Sequence, residues 1–227
     1  MGDVAGEACG EDAAHDSVPL DLLGVVEFVA AGDAAGVEVS DPLDVLLDGP
    51  DEVSLHDLHV VDVVEQLDDL CSYSAHIGLK AVDLLQPEEY SVPARYGLVC
   101  SMGYAGGGDI RNALNRLENH AGIEAAFRQN IPLAAKAGVP NVITFSGNRN
   151  GMSDEEGARN TVIGLNRLKK IAEDNNVTIC MELLNSKIDH PGYMCDHTAW
   201  GVSVARGVNS PRFQLLYDIY HMQMVTP

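Results

Sequence analysis

Two carboxylates in this chain fall where carboxylates are costly. Val177-Thr-Ile-Cys-Met-Glu-Leu183 and Phe213-Gln-Leu-Leu-Tyr-Asp-Ile-Tyr-His221 are apolar runs, and Glu182 and Asp218 each interrupt one near its end. An unpaired carboxylate buried in such a run costs several kcal/mol, so a basic partner, amide donors or a cation must compensate. One reading makes both acids interior residues paired to Arg or Lys. The other makes them ligands of a divalent metal: oxygen donors with one histidine, here His221 three residues beyond Asp218, suit Mg or Mn, and Zn or Co as alternatives. Arg149 offers a planar fork that could hold a substrate carboxylate bidentately or simply be solvated. Ser146, Asn148 and Asn185 are further polar residues at the ends of apolar runs. His197 opens a helix as a cap, a rim residue or a ligand, and Trp200 lies on the apolar side of the same helix and reads as core. No G-x-S-x-G announces a serine nucleophile.

The elements that would position these residues have a regular rhythm. Glu65 to Gly78 carries Leu67, Leu70, Cys71, Ser74 and Ala75 at helical spacing and stops at glycine. Lys80–Leu85, Leu98–Tyr104 and Asn141–Gly147 read as strands. Ile123–Gly138 reads as a helix, with Pro132 predicting a kink. Ser153-Asp-Glu-Glu156 is a capping box opening a helix whose buried face is Val162, Leu165, Leu168, Ile171 and Ala172, and which Asn175-Asn176 stops. A helix over Thr198–Val208 precedes the last strand. Strand starts near 80, 98, 141, 177 and 213 alternate with helices, which is the pattern of a parallel sheet with crossover helices. Near-continuous apolar strands fit a sheet covered by helices. A doubly wound sheet and an eight-stranded barrel both satisfy this pattern. No G-x-G-x-x-G follows a strand, and Gly106-Gly-Gly108 reads as a flexible loop, so a nucleotide fold has no positive support. In either parallel architecture the ligand site lies at the carboxyl ends of the strands, where Glu182 and Asp218 fall.

Charge divides the chain. Residues 1–79 hold 19 acidic side chains and no Lys or Arg; residues 80–227 hold 15 acidic and 14 basic ones. The first part is nevertheless rich in Val and Leu, as in Gly24-Val-Val-Glu-Phe-Val29 and His59-Val-Val-Asp-Val-Val64, unlike an acidic disordered tail. Residues 1–65 read either as a halophile-like or partner-binding acidic module, or as sequence foreign to the fold that follows; we expect the second. With a net charge of −20, the chain is repelled by phosphate backbones and anionic membranes, so nucleic-acid and membrane partners are not expected. No apolar run reaches the roughly 18 residues of a membrane span, and the N-terminus lacks a secretory signal pattern. Five cysteines without a C-x-x-C pair exclude a zinc ribbon and suit a reducing, cytoplasmic location.

Several longer strings carry a resemblance. Asn141-Val-Ile-Thr-Phe-Ser-Gly-Asn-Arg149, Gly151-Met-Ser-Asp-Glu-Glu-Gly157, Thr178-Ile-Cys-Met-Glu-Leu-Leu-Asn-Ser186, Cys195-Asp-His-Thr-Ala-Trp-Gly201 and Leu215-Leu-Tyr-Asp-Ile-Tyr-His-Met-Gln223 resemble the hydroxypyruvate isomerase family of xylose-isomerase-like TIM barrels. Leu114–His120 and Pro87–Tyr90 fit the same family. The resemblance implies that residues 66–227 form a partial (β/α)8 TIM barrel, with about five or six of eight strands. It implies that Glu182 is a metal ligand and an acid/base, that Asp218 is a second ligand, and that His221 contacts substrate oxygens. Arg149 and Asn185 are expected to bind substrate with it. The implied reaction interconverts hydroxypyruvate and tartronate semialdehyde through an enediol, on a small hydroxy-carbonyl substrate with Mg or Mn, and a homo-oligomer is compatible with it. A ketose 3-epimerase or inosose dehydratase of the same superfamily would share the metal site. The family's remaining ligands come from its seventh and eighth strands, for which no counterpart precedes Pro227, so the chain alone is expected to have no more than trace activity. An inactive remnant or acidic binding module is the non-enzyme alternative.

Overall fold

The computed structural model describes residues 25–26 and 67–225. Along the chain it forms β1 (Val25–Val26), α1 (Leu67–His76), β2 (Ala81–Leu85), β3 (Val99–Tyr104), α2 (His120–Ala137), β4 (Asn141–Thr144), α3 (Asp154–Asn175), β5 (Thr178–Leu183), α4 (Thr198–Val208), β6 (Phe213–Tyr217) and α5 (Ile219–Val225). The strands make one sheet in the order β1-β6-β5-β4-β3-β2, and every adjacent pair is parallel. From β2 to β6 the spatial order follows the chain order without reversal. A doubly wound sheet needs a switch point where that order turns back; sequential parallel strands with intervening helices are the progression of a barrel wall. Two residues of the acidic segment, Val25–Val26, pair with Leu215 and Leu216 of β6. The remainder of residues 1–65, and with it the expectation that this segment is foreign to the fold, lies outside the described residues.

The expected helix signals operate where the sequence placed them. Ser153 caps α3, its hydroxyl accepting the Glu156 amide at 3.2 Å, and Asn176 ends the helix in the left-handed region with φ 56°. Leu165, Leu168 and Ala172 of α3 are buried together with Phe127 and Ile131 of α2 and with Val142, Ile179, Met181 and Leu215 of the sheet. Helix α2 continues through Pro132. Trp200 packs against this core, and its indole N–H reaches the Asp154 carbonyl at 3.1 Å.

The glycine triplet does more than give a loop its freedom. Gly106 and Gly108 have φ of 84° and 88°, where an L side chain is strained. A Cβ on Gly107 would stand 2.7 Å from the Thr144 hydroxyl oxygen, and that hydroxyl donates to the Gly107 carbonyl at 3.3 Å. The triplet lets the backbone after β3 close onto the end of β4.

Candidate active site

Strand register brings the two carboxylates together. Glu182 of β5 lies beside Leu216 of β6, and side chains alternate faces along a strand. Asp218, two residues beyond Leu216, therefore projects to the same face as Glu182, one step nearer the strands' carboxyl ends. The chain then turns at once into α5, whose first turn carries His221. Asp218 starts this turn by accepting the Tyr220 amide on Oδ1 at 2.8 Å, while its Oδ2 lies 3.9 Å from His221 Nε2. His221 thus belongs to a helix, and the spacing of three residues from Asp218 is a helical neighbour relation. One ligand atom each of Glu182, Asp218 and His221 lies within 4.8 Å of the others.

The electrostatics of this cluster favour a cation. Burial, followed by the Asp218 charge, pushes the Glu182 carboxyl up to about 7. Among the described residues neither Glu182 nor Asp218 is ion-paired with Lys or Arg, so the reading in which basic side chains neutralise the pair has no support. Two facing carboxylates with nothing basic between them are part of the oxygen donor set that a hard divalent ion takes, and Glu182 and Asp218 are the residues that would hold it. Burial also lowers the His221 pKa, assisted by His190 and opposed by Asp218 and Asp189. Tyr104, at the end of β3, adds a phenol whose pKa is raised by burial and then by the Glu182 charge.

Asn185 joins the cluster through His221: its amide nitrogen is 2.9 Å from His221 Nδ1. Arg149 does not join it. Its Nε donates to Asp154, Nη1 to the Tyr193 carbonyl and Asp196, and Nη2 to the Met194 carbonyl and Asp196. All five N–H groups of a guanidinium are thereby used. The fork expected to grip a substrate carboxylate instead grips the protein's own Asp196, bidentately, at 3.1 and 3.0 Å. Burial opposes the Arg149 charge, but hydrogen bonds to Asp196 and Asp154 outweigh it and raise its pKa. Asp196 is held low despite burial by Arg149, Ser186 and His197. His197 stands at the head of α4 with its Nδ1 2.8 Å from Asp196 and its ring mostly in solvent. The knot ties the loops after β4 and β5 together.

Sequence reading alone passes over Tyr193. Its fully buried hydroxyl accepts the Ser146 amide at 3.0 Å and donates to the Glu182 carbonyl at 2.9 Å. It thereby fixes the backbone that carries the central carboxylate. Tyr193 sits in a loop without periodicity, between Gly192 and Met194, and the only signal for it would have been an aromatic residue in an otherwise polar connection.

Among the described residues no helix is long and apolar enough to cross a membrane. No curated protein sequence matches the chain. Among solved structures it is similar to an AP endonuclease, family 2, from Brucella melitensis, at 21 % identity and a TM-score of 0.59 over 70 % of this chain and 66 % of that one. It is similar to a 3-keto-D-glucoside 4-epimerase from E. coli, at 14 % identity and a TM-score of 0.59 over 71 % and 66 %. A D-psicose 3-epimerase from Clostridium cellulolyticum H10 gives 13 % identity and a TM-score of 0.55 over 69 % and 59 %. These likenesses are of fold, and the chain spans roughly three-fifths to two-thirds of the length of each structure. The model of the xylose isomerase-like TIM barrel family matches residues 91–226, more than half of the chain, which carry β3 to β6 and all of the carboxylate cluster. This chain belongs to the xylose isomerase-like TIM barrel family.

Proposed function

We propose that the chain is an isomerase of small α-hydroxycarbonyl compounds, converting hydroxypyruvate to tartronate semialdehyde and back, with Glu182 moving the proton. The observation that carries this reading is a half-buried carboxyl held at about 7, facing Asp218 and His221 at the strands' carboxyl ends. In the metal-free chain burial and the Asp218 charge bring the proton affinity of this carboxyl near neutral, where it both takes and returns a proton; a bound cation would lower it again. The motif strings between Asn141 and Gln223 favour hydroxypyruvate within the superfamily.

In this reaction Glu182 removes a proton from the hydroxymethyl carbon of hydroxypyruvate. The electron pair of that C–H bond becomes the C=C bond of an enediolate, in which the former carbonyl oxygen becomes a hydroxyl by taking the proton given up by the hydroxymethyl oxygen. Glu182 then returns the proton to the neighbouring carbon. The hydroxymethyl oxygen, having given up its proton, becomes the aldehyde, so atoms and electrons balance without an oxidant. His221 lies beside the reacting oxygens and offers them a hydrogen bond. The buried carbonyl and amide partners of Tyr193 hold the Glu182 backbone still while the carboxyl moves the proton. Glu182 and Asp218 would hold a divalent ion, which would supply Lewis-acid polarisation of the carbonyl.

A second reading, epimerisation of a ketose through the same enediol, is favoured by the epimerase structures of similar fold. The test is exchange of the hydroxymethyl hydrogens of hydroxypyruvate with D2O, followed by proton NMR in the presence of Mg or Mn. This measures the half-reaction assigned to Glu182. The wild type is expected to accelerate exchange at least slightly above the uncatalysed rate, and Glu182→Gln to lose that acceleration. Equal exchange in the two proteins would remove Glu182 as the base. Exchange at C3 of a ketose, with none in hydroxypyruvate, would replace the isomerase by the epimerase.

A further inference from the structure

Asn185 follows β5, and every hydrogen-bonding position of its side chain is occupied. Its Oδ1 accepts the amides of Ile188 and Asp189, both at 3.1 Å. Because backbone N–H groups only donate, these two bonds fix which end of the amide is oxygen. The other end, Nδ2, donates to Asp189 Oδ2 at 2.6 Å and meets His221 Nδ1 at 2.9 Å. Nδ2 has no lone pair to offer, so Nδ1 is the acceptor in this contact. A neutral imidazole that accepts at Nδ1 carries its proton on Nε2. Nε2 is the nitrogen that faces the carboxylate cluster, 3.9 Å from Asp218 Oδ2.

The surroundings reinforce the arrangement. Asp189, which anchors the second N–H of Asn185, also accepts the Tyr220 hydroxyl at 2.9 Å. The rings of His190 and Tyr220 meet His221 edge-on, at centroid distances of 5.3 and 5.1 Å. Turning the ring over would set Cδ2 against the Asn185 amide and forfeit its contact with Nδ1.

We infer that Asn185 is a positioning residue that locks His221 in the Nε2–H tautomer, making it a hydrogen-bond donor to the substrate's oxygens and withdrawing it from the ligands of a cation, which rest on Glu182 and Asp218. What the donated hydrogen bond does depends on the isomerase reading above; where the proton sits does not. A donor at this position meets the oxygen on which charge develops as the enediol forms. An acceptor nitrogen there would compete for the cation and leave that oxygen without its hydrogen bond.

The tautomer is read directly from long-range 15N–1H correlations of the imidazole rings in the uniformly 15N-labelled full chain, recorded with His221 neutral. The His221 signals are assigned by their loss in His221→Gln. The wild type is expected to show a protonated Nε2 and a bare Nδ1, and to keep that pattern when Mg2+ is added. A protonated Nδ1, or loss of the Nε2 proton on adding Mg2+, would overturn the proposal. Asn185→Asp keeps the shape and the two backbone contacts, shares one proton with Asp189 in place of the amide hydrogen bond, and turns the donor facing Nδ1 into an acceptor, so Nδ1 is expected to gain a proton. A bare Nδ1 in a variant whose circular dichroism is native would also overturn the inference. Should that variant not fold, the wild-type spectrum decides alone. Failure of the isomerase reading appears elsewhere, as undiminished exchange in Glu182→Gln, and leaves the tautomer spectrum unchanged.

Discussion

Glu182 is ionised at pH 8 in a place that disfavours ionisation, and the metal-free fold bears the cost. Its carboxyl is held at about 7, against 4.5 for an ordinary glutamate. Between those values the unfolded chain has released this proton while the folded chain keeps it, so stability falls as pH rises through the interval and is level above it. The size is roughly 3 kcal/mol. Glu182→Gln is therefore expected to stabilise the metal-free protein at pH 8 by an amount of that order, a gain that shrinks toward pH 4.5. Urea denaturation at several pH values measures it, and a pH-independent gain would show that repacking, rather than charge, is responsible. Mg2+ is expected to stabilise the wild type at pH 8 and to lose most of that effect in the variant, since a ligand stabilises only the state that binds it. This anomaly is also why the residue is legible in the sequence: a carboxylate interrupting an apolar strand contradicts its surroundings, and so does Asp218. The role of Arg149 was not legible. Its acceptor, Asp196, is 47 residues away, and nothing local distinguishes an arginine awaiting a ligand from one already holding a buried carboxylate of its own chain.

At the scale of elements, the helices and strands from Leu67 onward follow local signals: the cap at Ser153, the left-handed stop at Asn176, and apolar strands bounded by Pro and Gly. The run from Phe213 to His221 was harder to divide. It reads as one β-type stretch, but the strand ends at Tyr217 and Asp218 accepts the Tyr220 amide to open α5. Side-chain capping wins there over β propensity, and it turns a spacing of three residues into adjacency. Connections between elements leave even less trace in sequence, and Tyr193 is the clearest example, joining the Ser146 amide after β4 to the Glu182 carbonyl in β5. Tyr193→Phe removes this bridge with little change in shape and leaves two buried backbone groups without their partner. The expected loss is about 1–3 kcal/mol in urea denaturation, together with a fall in exchange activity as Glu182 loses its fixed backbone. A stability loss with exchange unchanged would confine Tyr193 to folding; neither effect would mean that water replaces the hydroxyl.

For the whole molecule, the dominant fact is where the charge lies. Residues 1–66 carry 17 acidic and no basic side chains, whereas residues 67–227 carry 17 acidic and 14 basic, a net of −3. Self-repulsion of a chain at −20 opposes any compact state and is relieved by salt. Screening also weakens favourable pairs, so the sign of the salt effect depends on which is larger. The exposed helical pairs Lys170–Asp174 and Arg128–Glu124 contribute little, because solvent screens them. The Arg149–Asp196 pair, whose carboxylate is buried, is screened much less. With 34 acids against 14 bases, repulsion has the larger share, and the melting temperature is expected to rise with NaCl. The shape of that rise identifies its cause. The Debye length falls from about 30 Å at 0.01 M to about 8 Å at 0.15 M, and only to about 3 Å at 1 M. Screening therefore acts mostly below roughly 0.2 M, whereas salting-out continues to climb. A chain beginning at residue 67, with its net of −3, is expected to show much less of the low-salt rise. A melting temperature that is flat or falling below about 0.2 M in the full chain would mean that the loss of favourable pairs matches or exceeds the relief of self-repulsion.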